Sequence, residues 1–194
     1  MRIGAGRWKN ALLPDAGPAV RPVPGRLRTS LFSVLAPRIE GAAVLDLCAG
    51  VGGLGLEALS RGAARLVLVD SDRRAVDALS RWIADRGASA EARAVLADVR
   101  RGGWPAGPFD LVFLDPPFDL WEAPADALAV LYQAAASLAP AGVVAVKGPS
   151  ASPPPETPRL KVLKRRSQGT VAYTLLGRGD PAQGQEDQPP RRLE

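Results

Sequence analysis

Four short apolar runs in this chain each carry an acid at or near their end. Residues 42–48 carry Asp46, residues 65–70 end in Asp70, residues 93–97 are followed by Asp98, and residues 109–114 by Asp115. A fifth run, residues 142–146, is apolar throughout. Helical patterns lie between several of them. Residues 53–61 place Leu54, Leu56, Ala58 and Leu59 along one stretch, residues 72–86 space Val76, Leu79 and Ile83 by three and four with Asp72 where a cap belongs, and residues 125–138 are rich in Ala and Leu. Strands apolar on both faces, alternating with helices, predict a parallel sheet covered on both sides. Residues 160–165 and 170–176 read as two further strands joined through Gly169, a hairpin that finishes the sheet in antiparallel fashion. The fold class expected is therefore α/β and Rossmann-like. It has a mostly parallel seven-stranded sheet, a C-terminal antiparallel hairpin, helices on both faces and a small N-terminal extension.

The 194 residues suit one domain, with 46% hydrophobic and 23% charged residues. Mean hydropathy is −0.01, no apolar run approaches the ~18 residues of a membrane span, and no apolar leader follows Met1, so a cytoplasmic protein is expected. One cysteine, Cys48, rules out an internal disulfide and a Cys-rich zinc site. The lack of histidine removes Ser-His-Asp and Cys-His dyads, an imidazole base and a His-ligated metal, so no metal is expected. Cys48, set in a buried strand and loop, reads as an apolar filler rather than a nucleophile.

Formal charge is +5, unevenly spread. Residues 1–40 hold seven Lys/Arg against two Asp/Glu, residues 41–146 nine against thirteen, and residues 147–194 nine against five. An acidic middle between basic ends fits a phosphate-binding flank, and equally an Arg-rich composition that leaves the ends positive. The segment from Pro24 to Leu35 reads as a helix with Leu27, Leu31, Val34 and Leu35 on one face. Residues 1–23 suit a small hairpin, and residues 178–194 a disordered tail.

Gly50-Val51-Gly52-Gly53-Leu54-Gly55 matches the G-x-G-x-x-G loop between a strand and a helix. That pattern alone invites a dinucleotide. Asp46, four residues before Gly50, opposes a pyrophosphate at the helix N-terminus and favours a cation. S-adenosylmethionine carries a sulfonium and an ammonium and no phosphate, which suits an acidic, glycine-lined pocket. Asp70, twenty residues after Gly50, stands where an acid reaches ribose hydroxyls. Asp98 is placed to accept from an adenine amine, with Val99 against the ring.

Asp115-Pro116-Pro117-Phe118 follows the fourth strand. Two prolines stiffen the backbone and remove two donors, leaving the Asp115 carboxylate and the Pro116 carbonyl as acceptors. An exocyclic amine on a flat base needs two acceptors to orient it, and Phe118 offers a ring for the base to stack on. Catalysis of this kind is mostly alignment and needs no histidine.

The stretch from Val44 to Ala63, together with Asp115-Pro116-Pro117-Phe118, resembles the RsmD family, the bacterial 16S rRNA guanine-N2 methyltransferases that use S-adenosylmethionine. Arg2-Ile3, Arg21-Pro22, Arg26-Leu27-Arg28 and Gly169-Thr170-Val171-Ala172-Tyr173 extend the likeness over residues 1–177. It departs at Val51, where the family usually has serine, and at Val23-Pro24-Gly25. The resemblance implies a class I methyltransferase domain at 41–177 and an RNA-binding extension at 1–40, and the expected state is a monomer acting on 16S rRNA, with no membrane partner. It implies that Asp115, Pro116, Pro117 and Phe118 carry the catalysis. Asp46, Cys48, Ala49, Gly50, Gly52, Asp70, Ser71, Asp98, Val99 and Asp115 then hold the cofactor, and Arg2, Arg7, Lys9, Arg21, Arg26 and Arg28 hold RNA phosphates. Lys161, Lys164, Arg165 and Arg166 extend that surface. The tetrapeptide is shared with adenine-N6 methyltransferases of RNA or DNA, which stand as the alternative. A NAD-dependent oxidoreductase is opposed by Asp46, and a catalytically silent RNA-binding protein is a further possibility.

Overall fold

A computed structural model describes residues 1–15, 25–155 and 157–179. Its core is a seven-stranded sheet ordered β3-β2-β1-β4-β5-β7-β6. The strands are β1 (Ala43–Leu47), β2 (Arg65–Asp70), β3 (Ala92–Leu96), β4 (Phe109–Leu114), β5 (Leu138–Pro149), β6 (Leu160–Gln168) and β7 (Val171–Arg178). β1 to β5 pair in parallel, and β7 runs antiparallel to both β5 and β6. The Rossmann-like fold with its antiparallel C-terminal hairpin is thus observed.

Successive residues of each inner strand serve opposite faces. Val44 packs in one apolar cluster with Leu27, Phe32, Leu56 and Leu79, while Leu45 packs in the other with Leu120, Val130 and Leu131. The first cluster lies under α1 (Gly25–Leu35), α2 (Gly55–Ser60) and α3 (Arg73–Asp85), and the second under α4 (Asp119–Glu122) and α5 (Pro124–Ala136). Asp72 caps α3 as expected, accepting from the Arg74 amide at 2.8 Å. Among the described residues no helix is long and apolar enough to cross a membrane.

The structure differs from the sequence-based expectation in several places. α2 begins at Gly55 rather than at residue 53 because the Asp46 carboxylate takes the Gly55 amide at 2.7 Å. β3 is an edge strand and not apolar on both faces, with Leu96 40% exposed. β5 begins at Leu138, four residues early, since Leu138 already pairs with Phe109 ahead of an irregularity. β7 runs through Arg178, two residues beyond the expected strand, and the Arg178 guanidinium donates to the Ala135 and Leu138 carbonyls. The rest of the expected tail, residues 180–194, lies outside the described residues.

At the N-terminus the expected hairpin shows, among the described residues, one antiparallel bridge, Arg2↔Leu12, and residues 16–23 of it lie outside those described. Ile3 and Leu13 are buried in the same cluster as the sheet. Glu57 on α2 accepts from the Gly4 amide at 2.6 Å, and Ser60 accepts from the Trp8 amide and donates to the Ala5 carbonyl. Trp8 meets Trp82 of α3 edge-on at 5.3 Å. The extension is thereby stitched to the helices that flank the glycine loop.

Candidate active site

Strand order reverses between β1 and β4, and a cleft of about 630 Å³ opens at the carboxyl ends of these strands. The four acids expected at strand ends all meet in this cleft: Asp46, Asp70, Asp98 and Asp115 line it. So do Cys48, Ala49, Gly50, Ser71 and Val99, and the whole tetrapeptide Asp115-Pro116-Pro117-Phe118. Gly52 is the exception among the expected cofactor residues. Its φ is +74°, and a Cβ there would come within 2.7 Å of Leu79 and 2.8 Å of Leu56. It shapes the turn from behind rather than facing the cleft.

Asp46 sits at the centre of the floor, 1% exposed. Its carboxyl group accepts from the first amide of α2, so the amide a pyrophosphate would use is already taken. Burial, and secondarily the nearby Asp115 and Asp70, push its pKa up from 3.8 to about 8, against the lowering pull of the Gly55 amide. Asp70 braces the loop, accepting from the Gly50 amide at 2.7 Å and the Asp72 amide at 2.9 Å. Asp98 accepts from the Arg100 amide, and Arg100 pairs with Asp119. Burial drives the Cys48 thiol upward, with Asp70 and Asp115 adding to it. A thiol so disfavoured as thiolate is no nucleophile.

Asp115 is tied to the sheet by its amide, which donates to the Leu47 carbonyl at 3.3 Å. Pro117 accepts from the Leu120 amide and Phe118 from the Trp121 amide, while the Pro116 carbonyl accepts no hydrogen bond among the described residues. Phe118 is 41% exposed at the mouth of the cleft. Burial raises the Asp115 carboxyl, and Lys147 pulls it back down. Lys147, on β5, is a cleft residue that no sequence pattern singles out; its ammonium pairs with Asp115 Oδ1. Met1 is another, and its side chain reaches the cleft beside Gly53.

The RNA candidates are scattered in what they touch. Arg7 pairs with Glu91 at 2.6 Å and stacks on Trp8, and Arg2 donates to the Asn10 carbonyl. Arg28 turns inward, donating to the Arg2 carbonyl and lying 4.0 Å from the buried Glu57. Lys9 and Arg26 are exposed, and Arg21 lies outside the described residues. On β6, Arg165 donates to the Pro149 and Ser150 carbonyls, whereas Lys161 and Arg166 are exposed.

Residues 1–177 match the family described as Conserved hypothetical protein 95. The chain belongs to this family, the RsmD family. Ribosomal RNA small subunit methyltransferase D of Haemophilus influenzae is 31% identical over 180 residues, covering 90% of this chain and 92% of that one. The Escherichia coli protein of the same name is 42% identical over 120 residues, 61% of this chain. That match spans 60% of the Escherichia coli protein's length. A solved structure from Escherichia coli, described as the methyltransferase yhhF, superposes with a TM-score of 0.78 at 31% identity, covering 93% of this chain and 98% of that one. The RsmD-family chain thus shares the class I methyltransferase fold.

Proposed function

We propose that this chain methylates the exocyclic N2 amine of a guanine in small-subunit ribosomal RNA, with S-adenosylmethionine as donor. The observation that carries the reading is the meeting, in one cleft, of an acidic floor with a stiff pair of amine acceptors. The cleft lining holds four aspartates against Lys147 and Arg100, and both cations already face carboxylates. Such a lining attracts a cation and repels a phosphate. The donor fits that test, and when bound it supplies a methyl group already activated by a sulfonium. Asp46 and Asp115 lie where they offset its positive charge, Asp70 is placed for the ribose, and Asp98 with Val99 for the adenine.

The chain's own part is alignment. The Asp115 carboxylate and the Pro116 carbonyl accept the two N–H groups of the target amine, which aims the nitrogen lone pair into the cleft. Phe118 offers its face to the base. Asp115 is also the group closest to hand for the proton the nitrogen sheds once its new bond to carbon has formed. Relatives named for the small-subunit ribosomal RNA support that RNA as the substrate, and guanine over adenine follows from the RsmD family.

The purified protein, given labelled S-adenosylmethionine and RNA from a strain lacking this gene, is expected to yield N2-methylguanine by nucleoside mass spectrometry. N6-methyladenine would move the assignment to the adenine enzymes, and failure to bind the donor would reject methyl transfer. Asp115→Ala is expected to abolish turnover while donor still binds.

A further inference from the structure

We propose that Lys147 is a positioning residue of this site, fixing the Asp115 carboxylate in place and in its charged form so that it remains an acceptor for the target amine. This rests on the methyl-transfer reading above and adds to it a residue and a role.

The placement follows from strand register. On β4 and β5, Phe113 pairs with Ala145 and Leu114 with Val146. One step further along both strands stand Asp115 and Lys147, and their side chains form an ion pair. Both are largely enclosed, at 16% and 13% side-chain exposure. Lys147 is in turn the cross-strand partner of Tyr173 on β7. A polar row thus crosses one face of the sheet at its carboxyl edge, from Asp115 after β4 through Lys147 on β5 to Tyr173 on β7, with Asp46 of β1, the partner of Phe113, two residues short of it on the same face.

What surrounds Asp115 explains why a cation is needed. Asp46 and Asp70 are acids of the same cleft, and Cys48 sits in the adjoining loop. The Tyr173 hydroxyl is buried and has no hydrogen-bond partner among the described residues. Arg28 of α1 donates to the Arg2 carbonyl through Nη2 and holds Nη1 4.0 Å from Glu57. Lys147 is the cation that touches Asp115. A protonated Asp115 would carry a hydroxyl donor where the target amine also donates, and the two would clash. A buried ion pair is a poor way to gain stability, because desolvating both charges offsets their attraction. Here the pair sits at the reacting end of the cleft, where a fixed carboxylate is the chemical requirement.

The test compares wild type with Lys147→Met and Lys147→Arg. In Lys147→Met the acid limb of the kcat/KM–pH profile is expected to move up by roughly one pH unit or more, with kcat at neutral pH down at least about tenfold and recovering in alkali. Lys147→Arg restores the charge and is expected to return the limb most of the way. Measured in alkali, where Asp115 is ionised in every variant, donor affinity is expected to stay within about threefold in both, which separates loss of positioning from loss of binding. Infrared difference spectra of donor-free protein against Asp115→Asn report the same carboxyl without turnover, and its titration is expected to move up in Lys147→Met. Should Lys147→Met not fold, Lys147→Gln takes the same measurements. A profile and a carboxyl titration both unmoved from wild type overturn the proposal. Absence of turnover in wild type, with the carboxyl titration still moved by Lys147→Met, would instead strike the methyl-transfer reading and leave the pairing intact.

Discussion

At the scale of single residues, Asp46 shows how a charge can be legible while its state is not. Its position near the end of the first strand, four residues before Gly50, is readable from spacing. Its enclosure and its bond to the Gly55 amide are not, because both depend on how α2 folds back over β1. Burial first, and its neighbouring acids next, push Asp46 up to about 8. A bound cation opposes both causes. Donor binding at neutral pH is therefore expected to release a proton, with affinity rising from about pH 6 to about pH 8.5. Titration calorimetry in buffers of different ionisation enthalpy measures that proton, and a buffer-independent heat would contradict it. The sign for stability is the reverse. A carboxyl whose folded pKa lies above its unfolded value binds more protons when folded, so the donor-free protein loses stability as pH climbs from 3.8 towards 8. Asp46→Asn is expected to flatten that loss in a series of thermal melts. Lys147 is invisible in the sequence for a different reason: one lysine ending an apolar run reads as an ordinary strand end, and only the register of β4 against β5 sets it beside Asp115.

Among the elements, β2 and β4 are legible to the residue, since residues 66–69 and 111–114 are continuous apolar runs with clear stops. α2 is less so, and it matters most for the site. Its first residue, Gly55, allows Asp46 and Leu66 to close on the helix: a Cβ there would lie 2.9 Å from Asp46 Oδ2 and 2.8 Å from Leu66 Cδ1. Neither neighbour sits on a free end, so Gly55→Ala must push the helix off β1. We expect a loss of about 1–3 kcal/mol in stability together with weaker donor binding, measured by denaturant unfolding and calorimetry. Gly25→Ala, facing open space at the start of α1, serves as control and is expected to be near neutral. A Gly55→Ala protein as stable and as tight-binding as the control would show that the helix does not set the loop. Glu57 on the same helix, buried and holding the Gly4 amide and Arg61, reads from sequence only as one residue of a helical run. No local pattern marks it, because the Gly4 amide lies far along the chain.

For the whole molecule, the question is where a long polyanion lies. Charge counts alone place cations at both ends of the chain but do not say which of them share a surface. The irregularity between Val162 and Lys164 decides this on β6. Across it, Lys161 pairs with Gly177, Lys164 with Leu175 and Arg166 with Tyr173. Paired residues share a face of the sheet, and Tyr173 and Leu175 pack in the cluster beneath α1. Strict alternation along β6 would put Lys161 and Lys164 on opposite faces; the extra residue brings both, and Arg166, to the side of α1 and Arg26. The hairpin that carries them ends at Thr170 and Val171, which line the cleft. With RNA as the proposed substrate, phosphates following this stripe are expected to lead to Phe118 and Asp115. Replacing Lys161, Lys164 and Arg166 together by glutamate is expected to weaken RNA binding and to flatten its dependence on salt by roughly 0.7–0.9 for each phosphate the protein no longer neutralises. Donor affinity should hold, since none of the three lines the cleft. Arg7→Glu is expected to do less, because Arg7 is already engaged by Glu91. If the triple replacement leaves the salt slope at its wild-type value while Arg7→Glu lowers it, the RNA runs over the N-terminal segment and the β6 stripe is merely a solvated edge.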